Sequence, residues 1–292
     1  MHIVSVVVPC RNARGTIGGC LEALGRQTLK PDEVIVVDGA SDDGSAEAAA
    51  RYPVTVIRSP RPLSAGEARN LGLARAGGEI VAFTDADAVP RYDWVHNIIG
   101  AFGRWPGAAG VGGRILDGSR GVAGKLEYLS NFSEFALPRA AGPVPTIPTL
   151  NVAYRRDAIR GIEFIPTTAG EDTMFNAELA GRGRTLVFDP SITVTHAPAR
   201  EGLRDFFRNQ YRCGVAFVHP RVRFPMRGNV LLRHPALLLC LPRLAVLFRR
   251  YLFTRHIASF IVFLPLLAAG EACRTAGILA QRRAEGQAAW RK

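Results

Sequence analysis

Two acidic residues separated by one residue follow an apolar, β-branched stretch in "GEIVAFTDADAVP". They are Asp85 and Asp87, and in an extended chain residues i and i+2 point to the same side. Their Cα atoms would then lie about 6.6 Å apart, two rises of a strand. Two carboxylates that close repel each other unless a cation lies between them or one stays protonated. The pair therefore predicts a cation site, whereas a single Asp here would more simply cap a turn before Pro90.

Other polar residues also follow predicted strands. The runs "IVSVVVP" and "EVIVVDG" are typical of strands buried on both faces, and they lead into Pro9, Asn12 and Asp38. Between the strands, "TIGGCLEALGRQT" and "SAGEARNLGLARA" read as helices, the first from apolar residues at helical spacing. This alternation indicates an α/β sandwich with a mostly parallel sheet. Because ligands of such sheets bind beyond the carboxyl ends of the strands, we expect these polar residues to share one ligand-binding edge.

The second half of the sequence adds another acidic pair. The stretch 107–148 is rich in Gly and Pro and gives no clear pattern, whereas "TLNVAYRRDAI" predicts a strand followed by the start of a helix. "AGEDTMFNAELAGRG" predicts a helix that opens with Glu171 and Asp172 and ends at glycines. Acids in a first turn could also simply complement the helix dipole. "TLVFDPSITVTH" predicts one or two strands that end at His196.

The charge of the chain is concentrated in its last third. Of 292 residues, 48% are hydrophobic, and the net charge is +12. Residues 201–292 hold 16 Lys and Arg against 4 Asp and Glu, whereas residues 1–200 hold 21 of each. A neutral body with a basic, apolar tail indicates an anionic membrane surface rather than nucleic acid as partner. The five cysteines form no C-x-x-C pair, which argues against a disulfide framework or zinc knuckle and fits a reducing compartment.

The tail itself predicts membrane association. We expect a catalytic domain at 1–220 and membrane-associated helices at 221–292, including "NVLLRHPALLLCLPRLAVLF" and "IASFIVFLPLLAAG". The second segment has 14 residues, short of the roughly 20 needed to span a bilayer, and prolines and charges interrupt the first. In-plane or shallowly re-entrant helices, with Phe260 and Phe263 inserted and arginines such as Arg243 at the phosphates, fit better. The alternative is a soluble helical subdomain or dimer interface. The start, "MHIVSVVVPC", lacks a basic signal-peptide segment and predicts a first strand.

Together these segments resemble the family 2 glycosyltransferases, which have the GT-A fold. The resemblance covers roughly residues 3–215 and rests on the order and spacing of "VSVVVPCRN", "VVDGASDDGS", "GEARNLGLARAGGEIVAFTDADAVP", "NVAYRRDAI" and "GEDTMFNAELAGRG". It makes Asp85 and Asp87 a D-x-D motif that serves Mg²⁺ or Mn²⁺ on the diphosphate of a nucleotide-sugar. Asp87 would bind the metal directly, and Asp85 would lean toward the ribose or a metal-bound water. His196 would be a third ligand or a phosphate contact, or else a structural histidine.

The resemblance also implies a set of donor-binding residues. Pro9 and Asn12 match the family's P-x-x-N, although Asn12 could equally be a turn residue. Asp38 matches the first acid of D-D-G-S, but Gly39 replaces the second, which puts UDP in doubt as the donor nucleotide. The remaining implied donor-site residues are Arg69 and Asn70 of "ARN", Asn151 of "NVAYRRDAI", and Arg208 and Arg212 of "FFRNQYRCG". The alternative for Arg69 is a solvated helix position, and for Arg208 and Arg212 a membrane-facing one.

Glu171 and Asp172 match the family motif that carries the catalytic base. A carboxylate within hydrogen-bond reach can take the proton of an attacking acceptor hydroxyl. The resemblance implies Asp172 as this base, Glu171 as the residue orienting the acceptor, and a single displacement with inversion. "FFRNQYRCG" does not match the Q-x-x-R-W of processive synthases, so we expect single-sugar transfer.

We therefore expect an inverting, metal-dependent glycosyltransferase on the cytoplasmic face of a bacterial membrane, with a lipid or lipid-linked acceptor. One alternative is a sugar nucleotidyltransferase, but "PCRNARGTIGG" lacks the density of that class's glycine-rich basic loop. Another is a non-catalytic, membrane-bound sensor of nucleotide-sugars. The presence of Asp85, Asp87 and Asp172 together argues against such a decayed site.

Overall fold

The chain forms two compact units in the computed structural model. The structure describes residues 3–136, 139–167, 170–198, 202–223, 240–252, 254 and 256–285. The sheet unit comprises Met1–Gly118, Pro138–Thr167 and Glu171–Ala199, and the helical unit comprises Ser119–Leu137, Thr168–Gly170 and Arg200–Lys292. This division places residues 119–136 in the same unit as the helices that follow residue 200, and the predicted catalytic domain at 1–220 stays a prediction.

Strands and helices alternate through the sheet unit, as predicted. In chain order the elements are β1 (Val4–Cys10), α1 (Ile17–Gly25), β2 (Glu33–Asp38), α2 (Ser45–Ala49), β3 (Thr55–Arg58), α3 (Ala65–Arg75), β4 (Ile80–Thr84), β5 (Ala88–Pro90), α4 (Trp94–Arg104), β6 (Ala108–Asp117), α5 (Val122–Asn131), α6 (Ser133–Ala136), β7 (Gly142–Val144), β8 (Asn151–Arg155), α7 (Glu171–Gly181), β9 (Thr185–His196), α8 (Leu203–Arg223), α9 (Cys240–Tyr251), α10 (Ile257–Val262) and α11 (Leu264–Ala284).

One sheet runs through the sheet unit in the order β3-β2-β1-β4-β8-β6-β9-β5, with β7 paired to β9. The first four strands are parallel, and β8 joins β4 in the antiparallel sense. Strands β1, β2 and β4 are rich in Val and Ile, and most of their side chains are fully buried, as expected for strands covered on both faces. The predicted α/β fold is confirmed, and its parallel strands carry their polar ends to one edge.

Two stretches differ from the sequence prediction. "RDAI" after β8 forms turns and no helix, because its backbone bonds join i to i+3, as in Ala158 N–H to the Arg155 carbonyl at 3.1 Å. Gly161 then takes a φ of 69°, which ends the turn. The unassigned middle of the chain holds β6, α5, α6 and β7. "TLVFDPSITVTH" is one strand, β9, whose register against β6 shifts between Gly112 and Arg114.

The helical unit has a core of its own. Helices α8 and α11 approach closely at glycines, since a Cβ on Gly214 would lie 2.0 Å from the Arg274 carbonyl oxygen and one on Gly277 would lie 2.2 Å from that of Tyr211. An apolar cluster packs α5, α8, α9, α10 and α11 together; its buried members are Ala123, Leu126, Leu129, Phe206, Leu247, Tyr251, Phe260 and Leu267. Helix burial of this kind is the main source of helical stability in proteins.

This core corrects part of the predicted membrane surface. Phe260 is 1% exposed within the cluster, and therefore does not face a membrane. Arg243 is also engaged internally, because its guanidinium contacts the buried Glu271 at 2.8 Å and donates to the Ser130 carbonyl at 2.9 Å. Residues 224–239, which include most of the first apolar segment, lie outside the described residues. No helix among the described residues is long and apolar enough to cross a membrane.

Candidate active site

The paired acids that follow β4 lie in a tight turn. The N–H of Ala88 donates to the carbonyl of Asp85 at 3.0 Å, so the backbone reverses here and does not continue as an extended strand. The prediction of an extended arrangement for this pair is therefore wrong. Both carboxylates are 32% exposed at the end of a fully buried strand. The turn thus places two acidic groups at the surface of the sheet edge.

His196 lies beside Asp87 because of strand register. Strand β5 pairs with β9 so that Ala88 is opposite His196, and the N–H of Ala197 donates to the Asp87 carbonyl at 2.8 Å. The buried imidazole brings Nε2 to 3.4 Å from Oδ2 of Asp87. The sequence prediction grouped these two residues on the strength of family likeness, and the structure brings them together.

Arg69 of α3 joins the two acidic pairs. Its buried guanidinium donates from Nη2 to Oδ1 of Asp85 at 2.9 Å and from Nη1 to Oε1 of Glu171 at 2.5 Å. Burial acts to lower the pKa of Arg69, but the charges of Asp85 and Glu171 outweigh it, and that pKa is raised. The prediction of a solvated helix arginine as the alternative does not hold for this residue.

Burial also raises the pKa values of two acids of the site, Asp85 and Asp172. Although 32% of its side chain is exposed, burial of the rest raises the pKa of Asp85, and the charge of Asp87 adds to this effect, while Arg69 and His196 oppose it. Burial, and after it the charge of Glu171, raises the pKa of Asp172 to about 6. Asp172 Oδ1 accepts from the N–H of Thr173 at 2.6 Å, which holds the carboxylate at the start of α7. A carboxyl with a pKa near 6 suits proton transfer at neutral pH.

An aromatic cluster packs beside the Arg69 bridge. Phe164 stacks on Phe175 of α7 with centroids 4.1 Å apart, and Phe83 of β4 meets Phe164 edge-on at 5.3 Å. The Arg69 guanidinium carbon lies 5.9 Å from the centroid of the Phe164 ring. Such ring pairs stabilise beyond the area they bury and have fixed geometry. The cluster therefore ties β4, α3 and the start of α7 into one support.

The loops after β1 and β2 are joined by hydrogen bonds. The N–H of Asn12 donates to Oγ of Ser41 at 2.9 Å, and that hydroxyl donates to Oδ1 of the buried Asp38 at 2.5 Å. Asn12 Oδ1 accepts from the N–H of Asp42 at 3.2 Å. Asn12 and Ala40 have φ of 50° and 57°, a region uncommon outside glycine. The structure thus connects Asn12 and Asp38, two residues predicted for the donor site.

Two predicted donor-site amides are bonded inside the protein. Asn70 forms two 2.8 Å bonds with the backbone of Phe164, one to its carbonyl and one from its N–H. Asn151 is fully buried at the start of β8, where it accepts from the Trp94 indole at 2.8 Å and donates to the Arg114 carbonyl at 2.9 Å. These bonds fix backbone near the site, and nucleotide contact by either amide stays a prediction.

The other predicted donor-site residues lie in two places. Pro9 is half-buried near the end of β1, where it pairs with Val37 of β2. Arg208 and Arg212 are exposed on α8 of the helical unit. Their part in binding a diphosphate stays a prediction.

The donor set fits a hard divalent cation that also takes ligands from its substrate. Asp85 and Asp87 offer half-exposed carboxylate oxygens, with His196 adjacent to Asp87. Within the described ranges, no three or more His, Cys, Asp or Glu side chains are grouped so that they could hold a metal ion on their own. Mg²⁺ is commonly held by one or two carboxylates together with substrate phosphates and waters, and an incomplete protein cage is compatible with that mode.

The sequence reading missed the bridging position of Arg69. A signal was present, because Gly66, Arg69 and Gly72 recur at three-residue spacing and share the buried face of α3. A Cβ on Gly72 would lie 2.3 Å from Val7 of β1, so this face packs directly on the sheet. An arginine on a face of small residues is therefore a buried arginine, which needs charged partners.

Comparisons with known proteins identify the family of the chain. The family model described as glycosyl transferase family 2 matches residues 5–162, more than half of the 292-residue chain. The glycosyltransferase AglE of Haloferax volcanii is 26% identical over 223 residues, which cover 73% of this chain and 72% of that protein. The pre-mycofactocin glycosyltransferase of Mycobacterium tuberculosis is 28% identical over 231 residues, which cover 76% of this chain and 48% of that protein.

Solved structures share the fold. The mannosyltransferase PcManGT of Pyrobaculum calidifontis, in complex with GDP-Man and Mn²⁺, aligns with a TM-score of 0.66 and 22% identity over 96% of this chain and 87% of its own. TarS 1-349 of S. aureus, in complex with UDP-GlcNAc, aligns with a TM-score of 0.54 and 17% identity over 98% of this chain and 92% of its own. These likenesses show the GT-A fold, and the family match shows the activity class. The chain belongs to glycosyl transferase family 2 and is a glycosyltransferase.

Proposed function

We propose that this enzyme transfers a single sugar, with inversion, from a nucleoside-diphosphate sugar to a lipid or lipid-linked acceptor, and that a divalent cation is required. The observation that carries the proposal is the Arg69 bridge, which joins Asp85 of the D-x-D turn to Glu171 beside the candidate base. In the proposed enzyme this bridge would join the donor-side and acceptor-side acids in one site. The nucleotide-sugars held by the Pyrobaculum and S. aureus structures support this class of donor.

The chemistry is a single displacement at the anomeric carbon. The acceptor oxygen forms a bond to that carbon while the bond from the carbon to the diphosphate oxygen breaks, and the electron pair leaves with the nucleoside diphosphate. The proton of the acceptor hydroxyl passes to Asp172, whose pKa near 6 leaves it largely ionised at neutral pH. Glu171 is paired with Arg69 at 2.5 Å, so we assign it mainly a structural role, that of linking α7 to α3.

Asp87, Asp85 and His196 are the residues that would hold Mn²⁺ or Mg²⁺. When bound, such a cation neutralises charge on the leaving diphosphate. The Mn²⁺ in the Pyrobaculum structure supports a divalent cation here. The carboxylates of this turn are half-exposed, as a site that must admit a diphosphate requires.

The acceptor and the place of action rest on the helical unit. Its exposed apolar side chains between residues 246 and 264 include Val246, Phe248, Leu252, Ile261, Val262 and Leu264. No acidic residue occurs between Val246 and Leu264, whereas Arg249 and Arg250 lie in that stretch. An apolar surface with arginines suits the anionic cytoplasmic leaflet, which would bring the enzyme to a membrane-held acceptor.

The test is a transfer assay with the full chain. The protein is incubated with Mn²⁺, a membrane lipid extract and either GDP-mannose or UDP-N-acetylglucosamine, and both nucleoside diphosphate and organic-phase sugar are measured. We expect nucleoside diphosphate release that depends on metal and lipid extract, with sugar in the organic phase. Release of pyrophosphate from nucleoside triphosphates would indicate a nucleotidyltransferase instead. Donor binding without any release would indicate a sensor.

A further inference from the structure

Arg69 connects two acidic residues of the candidate site. It lies on α3, which carries none of the acids of the site, and its side chain is almost fully buried. Two of its nitrogens contact carboxylates that are far apart in the chain, one from the turn after β4 and one from α7. Of the described side chains, none accepts a hydrogen bond from its Nε.

The free-energy cost of burying a charge indicates the role of Arg69. A buried guanidinium without partners is strongly unfavourable. One whose two Nη atoms each donate to a different carboxylate is held in a fixed orientation, because the guanidinium is planar. Removal of either acid leaves the charge on a single partner. The pair of contacts therefore restrains the distance between Asp85 and Glu171, and with it the distance between the D-x-D turn and Asp172.

Neighbouring contacts show that α3 is itself held in place. Asn70, the next residue, is clamped to the backbone of Phe164 through two 2.8 Å bonds, and Ser64 and Glu67 form a reciprocal cap at the start of the helix. A Cβ on Gly66 would lie 2.7 Å from the Ile165 carbonyl oxygen, so the helix has no freedom to shift there. Arg69 thus projects from a fixed base.

We propose that Arg69 is a positioning residue that sets the spacing between the donor-side and acceptor-side acids, and does not serve mainly as a ligand of the nucleotide. This inference rests on the proposed function, because the spacing matters only if donor and acceptor react across it. A misplacement of about 1 Å between reacting groups can cost about 10²-fold in turnover. The role therefore predicts an effect on turnover that exceeds the effect on donor binding.

The catalytic test compares Arg69→Lys with Arg75→Met in the full chain. Lysine keeps the charge but loses the planar fork, and Arg75 is an exposed arginine on the same helix. We expect Arg69→Lys to lower kcat about 10²-fold with the donor KM nearly unchanged, and Arg75→Met to match wild type. A raised donor KM with unchanged kcat would make Arg69 a nucleotide ligand, and wild-type kcat and KM would leave it no role; either result overturns the inference.

A second test needs no donor. Thermal stability is measured for Asp85→Asn, Glu171→Gln and the double variant, in the Arg69 background and with Arg69→Met. With Arg69 present, we expect the double variant to lose more than the sum of the single losses, because only then does the buried guanidinium lose both of its carboxylate hydrogen-bond partners. This excess should vanish with Arg69→Met. Additive losses with Arg69 present would contradict the bridge even if wild type proved to transfer no sugar.

Discussion

Burial and the neighbouring charge of Glu171 hold the pKa of Asp172 at about 6, well above its ordinary value of 3.8. The same residue lies at the first turn of α7, where the helix dipole favours a carboxylate, so the raised pKa is set by its surroundings and not by its place on the helix. We expect Asp172→Asn to lower turnover about 10²–10⁴-fold while donor affinity stays nearly unchanged. The measurement is steady-state kinetics with the donor varied.

The matched control for this substitution is Glu178→Gln. Glu178 lies on the same helix and pairs with Arg182 at 3.0 Å, away from the bridge. Its variant should keep wild-type turnover. If Asp172→Asn retained more than a tenth of wild-type turnover, the proton acceptor would lie elsewhere.

The raised pKa also fixes how activity depends on pH. A base must be ionised to accept a proton, so kcat/KM should fall about tenfold per pH unit below a pH near 6. The Asp172→Asn variant should lack this acidic limb in its residual activity. A wild-type profile that stays flat down to pH 4.5 would contradict the assignment of Asp172 as base.

Stability should respond in the opposite sense. The folded protein holds the proton of Asp172 up to a pH near 6, whereas the unfolded chain releases it near 3.8. Between these values the folded state binds more protons, so this group makes the free energy of unfolding fall as pH rises. Asp172→Asn should therefore raise the thermal midpoint at pH 7 but not at pH 3.5, as thermal melts at the two pH values would show. A lower midpoint at pH 7 would contradict this sign.

At the scale of elements, glycines decide how closely strands of the sheet unit can approach. A Cβ on Gly113 of β6 would lie 2.1 Å from the Ile192 carbonyl oxygen and 2.2 Å from that of Asp189. Backbone atoms cannot yield as a flexible side chain does, and the register shift of β6 against β9 falls at this point. We expect Gly113→Ala to destabilise the fold by about 1–3 kcal/mol or more, measured by denaturant unfolding.

Gly107 supplies the control. It immediately precedes β6, is exposed, and a Cβ there would meet nothing within 4 Å. Gly107→Ala should leave the unfolding midpoint near that of wild type. Equal midpoints for the two variants would show that the backbone around Gly113 adjusts more freely than its contacts indicate.

Elements were more predictable than their junctions. The strands that precede Asp38 and Asp85 follow from unbroken runs of Val, Ile and Ala, because such runs have few alternatives to a doubly covered strand. The turn at Asp85 to Ala88 was not predictable, since Asp-x-Asp suits extended and turning backbone alike. The Arg69–Glu171 contact joins residues 102 positions apart, and no local pattern encodes such a distance.

At the scale of the whole molecule, the tail combines a folded core with an apolar surface. Ion pairs join Glu271 to Arg274 and Arg243 inside the helical unit, so this part of the chain has a folded core of its own. Composition could not separate buried from exposed apolar residues there. Phe260 and Val262 belong to the same apolar run of the sequence, but they are 1% and 71% exposed. The charge excess nonetheless remains the reason to expect an anionic partner.

This distinction gives a specific membrane prediction. Ile261 and Val262 are 57% and 71% exposed at the end of α10, and they would enter the acyl boundary. The double variant Ile261→Asp, Val262→Asp should lose on the order of 3 kcal/mol of membrane binding, seen as reduced flotation with anionic liposomes. Leu29→Asp, at an exposed leucine of the sheet unit, should float as wild type. Undiminished flotation of the double variant would rule out this surface.

We propose above all that Asp87 binds a divalent cation and that the donor diphosphate supplies further ligands to the same cation. The most direct measurement is a thermal-shift panel of nucleoside diphosphates, with and without Mn²⁺, on wild type and Asp87→Ala, because a ligand that binds only the native state raises its melting temperature. We predict that at least one nucleotide stabilises wild type only when Mn²⁺ is present, and that Asp87→Ala stays folded but loses this stabilisation. Full Mn²⁺-dependent stabilisation of the Asp87→Ala variant would contradict the claim.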